Sequence, residues 1–121
     1  GQLNYGSAGN GSAGHLAFEY LKMVSETFMV HVPYRGTGPM LVDLMAGRLD
    51  AAAVGAPALL PFIKSGKLRA LAHWGDKPLA ALPGVPSLKE AGFGATFAQW
   101  SALFVPAATP PSLKPSIIRK A

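Results

Sequence analysis

The sequence predicts an α/β fold in which helices flank a mostly parallel sheet. Segments rich in strand-forming residues alternate with segments of helical periodicity, as expected for repeated β-α-β units. Half of the 121 residues are apolar and 14% are charged, which is enough to bury one core and argues against wholesale disorder.

The first β-α-β unit is predicted in the first third of the chain. Residues 3–5 form a short strand, and a helix follows from Ser12, whose hydroxyl can cap the first turn. Residues 28–32 are rich in strand formers, and Pro33 ends that strand. The residues expected to form the apolar face of the helix recur at i, i+4 and i+8: Leu16, Tyr20 and Val24, with Leu21 alongside.

The second unit starts with a helix near Gly38, where Pro39 occupies an early position that needs no N–H donor. Gly47 stands where a left-handed C-terminal cap belongs. Residues 49–54 are small and apolar, as in a strand buried on both faces. We expect that strand to lie beside the strand over residues 28–32.

The rest of the chain predicts shorter elements. A helix begins near Ala56 and ends at Ser65 and Gly66, and residues 68–74 form another strand. A proline-rich connection leads to a brief helix over residues 87–91. A last strand over residues 101–105 and a final helix capped at residues 110–112 complete the prediction.

Three turns lie at the carboxyl ends of the predicted strands, where α/β sheets bind ligands: residues 6–12, 33–38 and 55–57. The first has three glycines and two serines before a helix N-terminus, so its backbone amides and the helix dipole favour an anion. A tight turn without a ligand is the alternative reading.

Several function classes are excluded by the residues themselves. Residues 9–14 spell G-x-G-x-x-G, but no carboxylate follows the second strand, where Tyr34 and Arg35 stand, so a dinucleotide site fails. The chain has no cysteine, no Walker lysine and no nucleophile elbow, and its three histidines are dispersed. His15 is expected to pack or cap at the first helical turn. We therefore predict no cofactor, no metal and no catalytic residue. The net charge is +5, but the basic residues are scattered singly along the sequence, which argues against nucleic acid as a partner.

The order of several motifs resembles the extracytoplasmic solute receptors of tripartite tricarboxylate transporters, called the Bug family. The resemblance covers nearly the whole chain. The motifs are residues 6–12 with His15, Leu16 and Ala17; residues 31–36; residues 38–47; residues 63–72; residues 82–87 with Glu90, Ala91 and Gly92; residues 100–105; and Pro106, Thr109 and Pro110.

The resemblance implies one lobe of a two-lobed, type II periplasmic-binding-protein-like receptor of roughly twice this length. Residues 1–105 would be the second, ligand-binding lobe, and residues 106–121 would start the return toward the first lobe. The implied function is a binding protein rather than an enzyme, located in the periplasm, with its leader outside this chain. The family turn is expected to hold a ligand carboxylate, and the implied ligand-binding residues are Ser7, Ala8, Gly9, Asn10, Gly11, Ser12, Tyr34, Arg35, Gly55 and Ala56.

The implied partners are a small carboxylate and the membrane subunits of a transporter. Many family members carry Asp or Asn after the third strand, whereas this chain has Gly55 and Ala56, which favours a plain organic acid over an amino acid. Self-association of the isolated lobe is expected through an apolar surface around Trp100, Leu103 and Phe104. A ligand-sensing domain of a regulator with the same type II fold is the alternative function.

Overall fold

The chain folds around a parallel sheet with helices on both faces. The computed structural model describes residues 2–94 and 105–112. Its elements, in chain order, are β1 (Asn4–Ser7), α1 (Ala13–Ser25), β2 (Val30–Pro33), α2 (Thr37–Met45), β3 (Ala51–Ala52) and α3 (Ala56–Lys64). The predicted α/β class is confirmed, as are helices that start near Ser12, Gly38 and Ala56.

The strand order is β2-β1-β3, and both neighbours run parallel to β1. Tyr5 pairs with His31 on one side and with Ala51 on the other. The prediction that the second and third strands are neighbours is therefore wrong, because β1 lies between them. The chain reverses its winding direction after β2, so α2 crosses the sheet on the face opposite α1.

Helix α1 begins as predicted but buries a different face. The Ser12 hydroxyl accepts the His15 amide at 3.3 Å, which confirms the N-cap. The buried residues are Ala17 and Phe18, whereas Leu16 is 55% exposed, so the predicted stripe based on Leu16 is wrong. The ring of Phe18 stacks on Tyr5 at 4.2 Å between centroids, and this aromatic contact fixes the rotation of the helix.

The other face of β1 has no side chain at Gly6, and this allows α2 to approach. A Cβ at Gly6 would lie 2.5 Å from Leu49 Cδ1 and 2.8 Å from Met40 Cγ. Met40 is fully buried and Leu49 nearly so. Gly47 has a φ of 72°, as predicted for the end of this helix.

The third strand is shorter than predicted, since only Ala51 and Ala52 pair with β1. Helix α3 follows with Pro57 in its first turn and ends at Ser65, and Gly66 then takes a φ of 74°. Both ends of α3 agree with the sequence prediction.

Two predicted elements after α3 do not form. Residues 68–74 make no strand, and only an isolated parallel bridge joins His73 to Ser87. The predicted helix over residues 87–91 is a turn instead, in which Ser87 and Glu90 bond reciprocally: the Glu90 carboxylate accepts from the Ser87 amide at 2.7 Å. A one-turn capping arrangement satisfies these groups without a following helix.

The strand and helix predicted over residues 101–105 and from residue 112 onward lie almost entirely outside the described residues. Val105 itself is described and belongs to no strand. Trp100, Leu103 and Phe104, named for self-association, are also outside them. Within the described ranges, none of the helices has the length and apolar character needed to cross a membrane.

Candidate anion site

The turn between β1 and α1, residues 7–12, lies where the winding of the sheet changes direction. The strands β2 and β3 lie on opposite sides of β1, and α1 and α2 cover opposite faces of the sheet. Open α/β sheets bind their ligands at such a switch point, at the carboxyl ends of the strands. The strand order that the sequence failed to predict therefore places this turn at the position best suited to a ligand.

The turn between β2 and α2 is attached to it by backbone hydrogen bonds. The Tyr34 amide donates to the Ser7 carbonyl at 3.0 Å, and the Gly36 amide donates to the Ala8 carbonyl at 3.1 Å. A Cβ on Gly9 would come within 3.3 Å of the Tyr34 carbonyl oxygen. The first two predicted turns therefore form one surface.

The connection from β3 to α3 starts close to the same region, because the end of β3 contacts the first turn of α1. A Cβ on Gly14 would overlap the carbonyl oxygen of Ala53, so only glycine lets the first turn of α1 approach the end of β3. Gly55 is the N-cap residue of α3 and Ala56 is its first residue. The Gly55 carbonyl accepts the Ala58 amide at 3.2 Å inside the start of α3, so the contact with α1 is made by Ala53, two residues before Gly55.

The amides of the turn fall into two groups. Those of Gly9, Gly11 and Ser12 are used internally: Gly9 donates to Ser7 Oγ at 3.2 Å, Gly11 to His15 Nδ1 at 2.9 Å, and Ser12 to the Gly9 carbonyl at 3.2 Å. No hydrogen bond within residues 2–94 and 105–112 uses the amides of Ala8, Asn10, Ala13 or Gly14. These four amides are therefore the donors that the turn and the first turn of α1 leave for an anion.

Two histidines, His15 and His31, support the turn. The three histidines are dispersed along the sequence, and contact between these two was not predicted. His31 Nε2 lies 2.7 Å from Ser7 Oγ, and the ring of His15 stacks on that of His31 with centroids 4.1 Å apart. His15 Nδ1 accepts the Gly11 amide, so the expected packing and capping role of His15 is confirmed. The pairing of Tyr5 with His31 was the missing signal, because it sets His31 beside the turn.

The aromatic stack continues into the core. Tyr5 lies between Phe18 and His31, with its centroid 4.9 Å from that of His31. The Tyr5 hydroxyl donates to Glu19 at 2.7 Å, and Lys22 binds the same carboxylate oxygen at 2.8 Å. Burial, with the bond to Glu19, raises the pKa of Tyr5, so this hydroxyl stays protonated.

The Ser7–His31 contact is not that of a catalytic nucleophile and its base. Ser7 is fully buried, so no substrate reaches its hydroxyl. No carboxylate among the described residues bonds the His31 ring to orient it. Burial, with the adjacent His15, lowers the pKa of His31, which favours the neutral ring. Ser7 and His31 therefore brace the turn.

The side chains of the second turn differ in their surroundings. The Tyr34 hydroxyl donates to Asp43 at 2.8 Å, and Asp43 also pairs with Arg48 at 2.7 Å. Tyr34 thus contributes its backbone to the site while its hydroxyl is held by α2. Arg35 is exposed and takes part in neither ion pair of the described residues.

The described residues contain no group of three His, Cys, Asp or Glu side chains that could hold a metal ion. Their donors at the turn are amides and neutral or cationic side chains, which suit an anion rather than a cation. Hydrogen bonds from these donors can hold an anion reversibly.

Comparison with known proteins agrees with this chemistry. A family model described as the tripartite tricarboxylate transporter family receptor matches residues 1–120. The chain is 37% identical over 113 residues to a UPF0065 protein in the gbd 5' region of Cupriavidus necator, covering 93% of this chain and 34% of that protein. It is 33% identical over 114 residues to protein BugT of Bordetella pertussis, covering 93% and 35%.

The chain is also similar to solved protein structures. An R. palustris protein with adipate superposes with a TM-score of 0.88 at 35% identity, covering 95% of this chain and 39% of that one. A TctC solute binding protein from Polaromonas, without ligand, gives 0.78 at 29% identity, covering 93% and 39%. The chain spans about a third of the length of these curated relatives, less than the half that the sequence resemblance implied.

Proposed function

Because the chain belongs to the family of tripartite tricarboxylate transporter receptors, we propose that it captures a small carboxylate at the turn over residues 7–12. In this proposal residues 1–105 are the second lobe of a two-lobed receptor, and residues 106–121 lead back toward the other lobe. The ligand is held between the lobes as they close.

One observation carries the proposal: the Ala8, Asn10, Ala13 and Gly14 amides are unused within the described chain and lie at the switch point of the sheet. The dipole of α1 adds partial positive charge there, and the first turn of α1 contains no acidic residue to oppose an anion. The residues proposed to line the site are Ala8, Gly9, Asn10, Gly11, Ser12, Tyr34, Arg35, Gly55 and Ala56, and the buried Ser7 supports the turn beneath them.

The proposed ligand is a plain organic acid rather than an amino acid. The connection after β3 offers Gly55 and Ala56, which have no carboxylate for a ligand ammonium group. The relative that was solved with adipate, a dicarboxylic acid, supports this class. Delivery of the acid to membrane subunits of a transporter, from the periplasm, completes the proposed role. The receptor family favours this function over a regulator domain.

The test removes one amide without disturbing the helix. Ala13 is the first residue of α1, where proline is tolerated, and Ser12 before it has φ −63° and ψ 158°, which a following proline requires. We expect Ala13→Pro in the full-length protein to weaken adipate binding by roughly 10- to 150-fold, about 1.5–3 kcal/mol, measured by calorimetry.

Ala13→Ser, which changes the side chain but keeps the amide, gives the comparison. Adipamide, which lacks the carboxylates, serves as the ligand control. Adipate affinity that is equal in the proline and serine variants, with both folded by circular dichroism, would contradict capture at these amides.

A further inference from the structure

We propose that His15 withholds the Gly11 amide from the ligand while its ring is neutral and releases it on protonation, so that carboxylate capture takes up a proton. This inference rests on the proposed function and assigns a positioning role to a side chain that the proposal leaves unused. It makes His15 the residue that decides how many donors the turn offers.

The hydrogen bond between Gly11 and His15 fixes the state of the ring. The Gly11 amide donates to His15 Nδ1 at 2.9 Å, so Nδ1 carries a lone pair and the proton of a neutral ring lies on Nε2. A protonated ring has a proton on both nitrogens and cannot accept this amide. A protonated His15 ring therefore cannot keep the hydrogen bond that it now accepts from the Gly11 amide.

A carboxylate resolves the conflict that protonation creates. The Gly11 N–H and a new Nδ1–H would face each other across the former hydrogen bond, and one anionic oxygen placed beside them accepts from both. The ligand would gain a charge-assisted bond from the ring and an amide that the neutral state denies to it. Gly11 has a φ of 76°, and glycine has the backbone freedom to turn its amide toward a ligand.

Titratable and charged groups face His15 from β1, β2, α1 and the neighbouring turn, and the positive end of the α1 dipole opposes a charge on its ring until an anion binds. From β2, the His31 ring stacks on it at 4.1 Å with 10° between the planes, and burial lowers the pKa of His31, which keeps that ring neutral. Tyr5 of β1 lies behind His31 and stays protonated.

Charged groups come from the helix and from the neighbouring turn. On α1, Glu19 interacts favourably with His15, and the Lys22 and Tyr5 hydrogen bonds lower the pKa of Glu19, so a carboxylate is present to stabilise the imidazolium. Lys22 opposes the charge but is paired with Glu19 at 2.8 Å. Arg35, on the turn attached through Tyr34, is exposed and screened by solvent.

The experiment measures adipate binding to the full-length protein by calorimetry at about pH 8 and about pH 6, a range in which histidine ordinarily changes charge. Each titration is repeated in two buffers of different ionisation enthalpy, which counts the protons taken up. We expect the wild type to bind about fivefold more tightly at the lower pH, with net proton uptake. In His15→Gln, an amide oxygen can accept from Gly11 but cannot be protonated, and we expect the affinity to be constant.

All these expectations refer to affinities corrected for the ligand's own titration, which is the same for every protein compared. His15→Phe keeps the stacking on His31 and removes the acceptor, so its affinity should also be independent of pH. If the variants fail to fold, the proton count of the wild type alone decides. Binding without proton uptake, or binding that weakens as the pH falls, overturns the role of His15 and leaves the proposed function standing. Absence of binding to any small acid at either pH overturns both.

Discussion

The backbone amide of Tyr34 donates a 3.0 Å hydrogen bond to the carbonyl of Ser7, which makes the second turn an extension of the first. The connection runs through main-chain atoms, so it does not depend on the side chain at either position. It places Arg35 at the border of the proposed site, while the Tyr34 hydroxyl is held by Asp43.

Arg35 is expected to steer the ligand rather than to hold it. Its side chain is exposed, so solvent and salt screen its charge. We expect Arg35→Met to cost less than about 1 kcal/mol of adipate binding, and to slow association with a smaller dependence on salt. Stopped-flow kinetics at low and high salt would measure this. A loss of more than about 2 kcal/mol would show direct, desolvated contact instead.

Gly11 is expected to be required for the ligand more than for the fold. A β-branched residue at φ 76° is strained, so Gly11→Val should rearrange the turn and abolish detectable adipate binding. Gly66→Val is the matched control, because Gly66 has a φ of 74°, equally open space, and a position at the opposite end of α3 from the site. Both variants should lose similar stability in urea unfolding. Equal loss of binding in the two would contradict a specific role for the turn.

Gly6 is expected to be essential for the close approach of α2 to β1. Its Cβ would meet Leu49 and Met40 at 2.5 and 2.8 Å, so Gly6→Ala should lower the free energy of unfolding by about 1–3 kcal/mol. Gly38→Ala is the counterpart: it lies in α2 with nothing within 4 Å of its Cβ position, so it lacks this clash, and the helical gain of alanine is offset by the following Pro39, which leaves a change of less than about 1 kcal/mol. Urea unfolding of both variants checks the difference.

His31 is expected to make the fold less stable in mild acid. Burial and then the adjacent His15 lower its pKa below the ordinary value of 6.5. The unfolded chain therefore binds a proton first as the pH falls, and the contribution of the neutral ring, present above pH 6.5, is lost as the pH falls through the folded-state pKa. His31→Gln, which can still bond Ser7, should lose less stability than the wild type between about pH 7 and about pH 5. An identical pH dependence of the urea midpoints would refute this.

The helix boundaries were predictable because local chemistry sets them. Ser12 accepts the His15 amide in the first turn of α1, Pro57 suits the first turn of α3, and Gly66 takes the left-handed conformation that follows its end. None of these depends on which other segment lies nearby. The turns of the candidate site were predictable for the same reason.

The strand order and the histidine pair were not predictable, because they depend on contacts between distant segments. Periodicity cannot tell on which side of β1 a later strand will pair, and the pairing of Tyr5 with His31 follows only from that choice. The rotation of α1 about its own axis was also predicted wrongly. The helix is turned so that Phe18 stacks on Tyr5, and this orientation leaves Leu16 exposed.

The central position of β1 has a consequence for the order of folding. Asn4 and Asp50 exchange two hydrogen bonds, from the Asn4 amide at 2.8 Å and from the Asp50 amide at 3.0 Å, across a sequence separation of 46 residues. The earliest strand of the three is thus the one on which both later strands assemble. During synthesis it must remain unpaired on one edge until residue 52 has emerged, which at ribosomal speeds takes several seconds, on the order of 2–10 s. A strand left unpaired for so long offers an open edge to other chains, and Gly6, a weak strand former, limits such pairing.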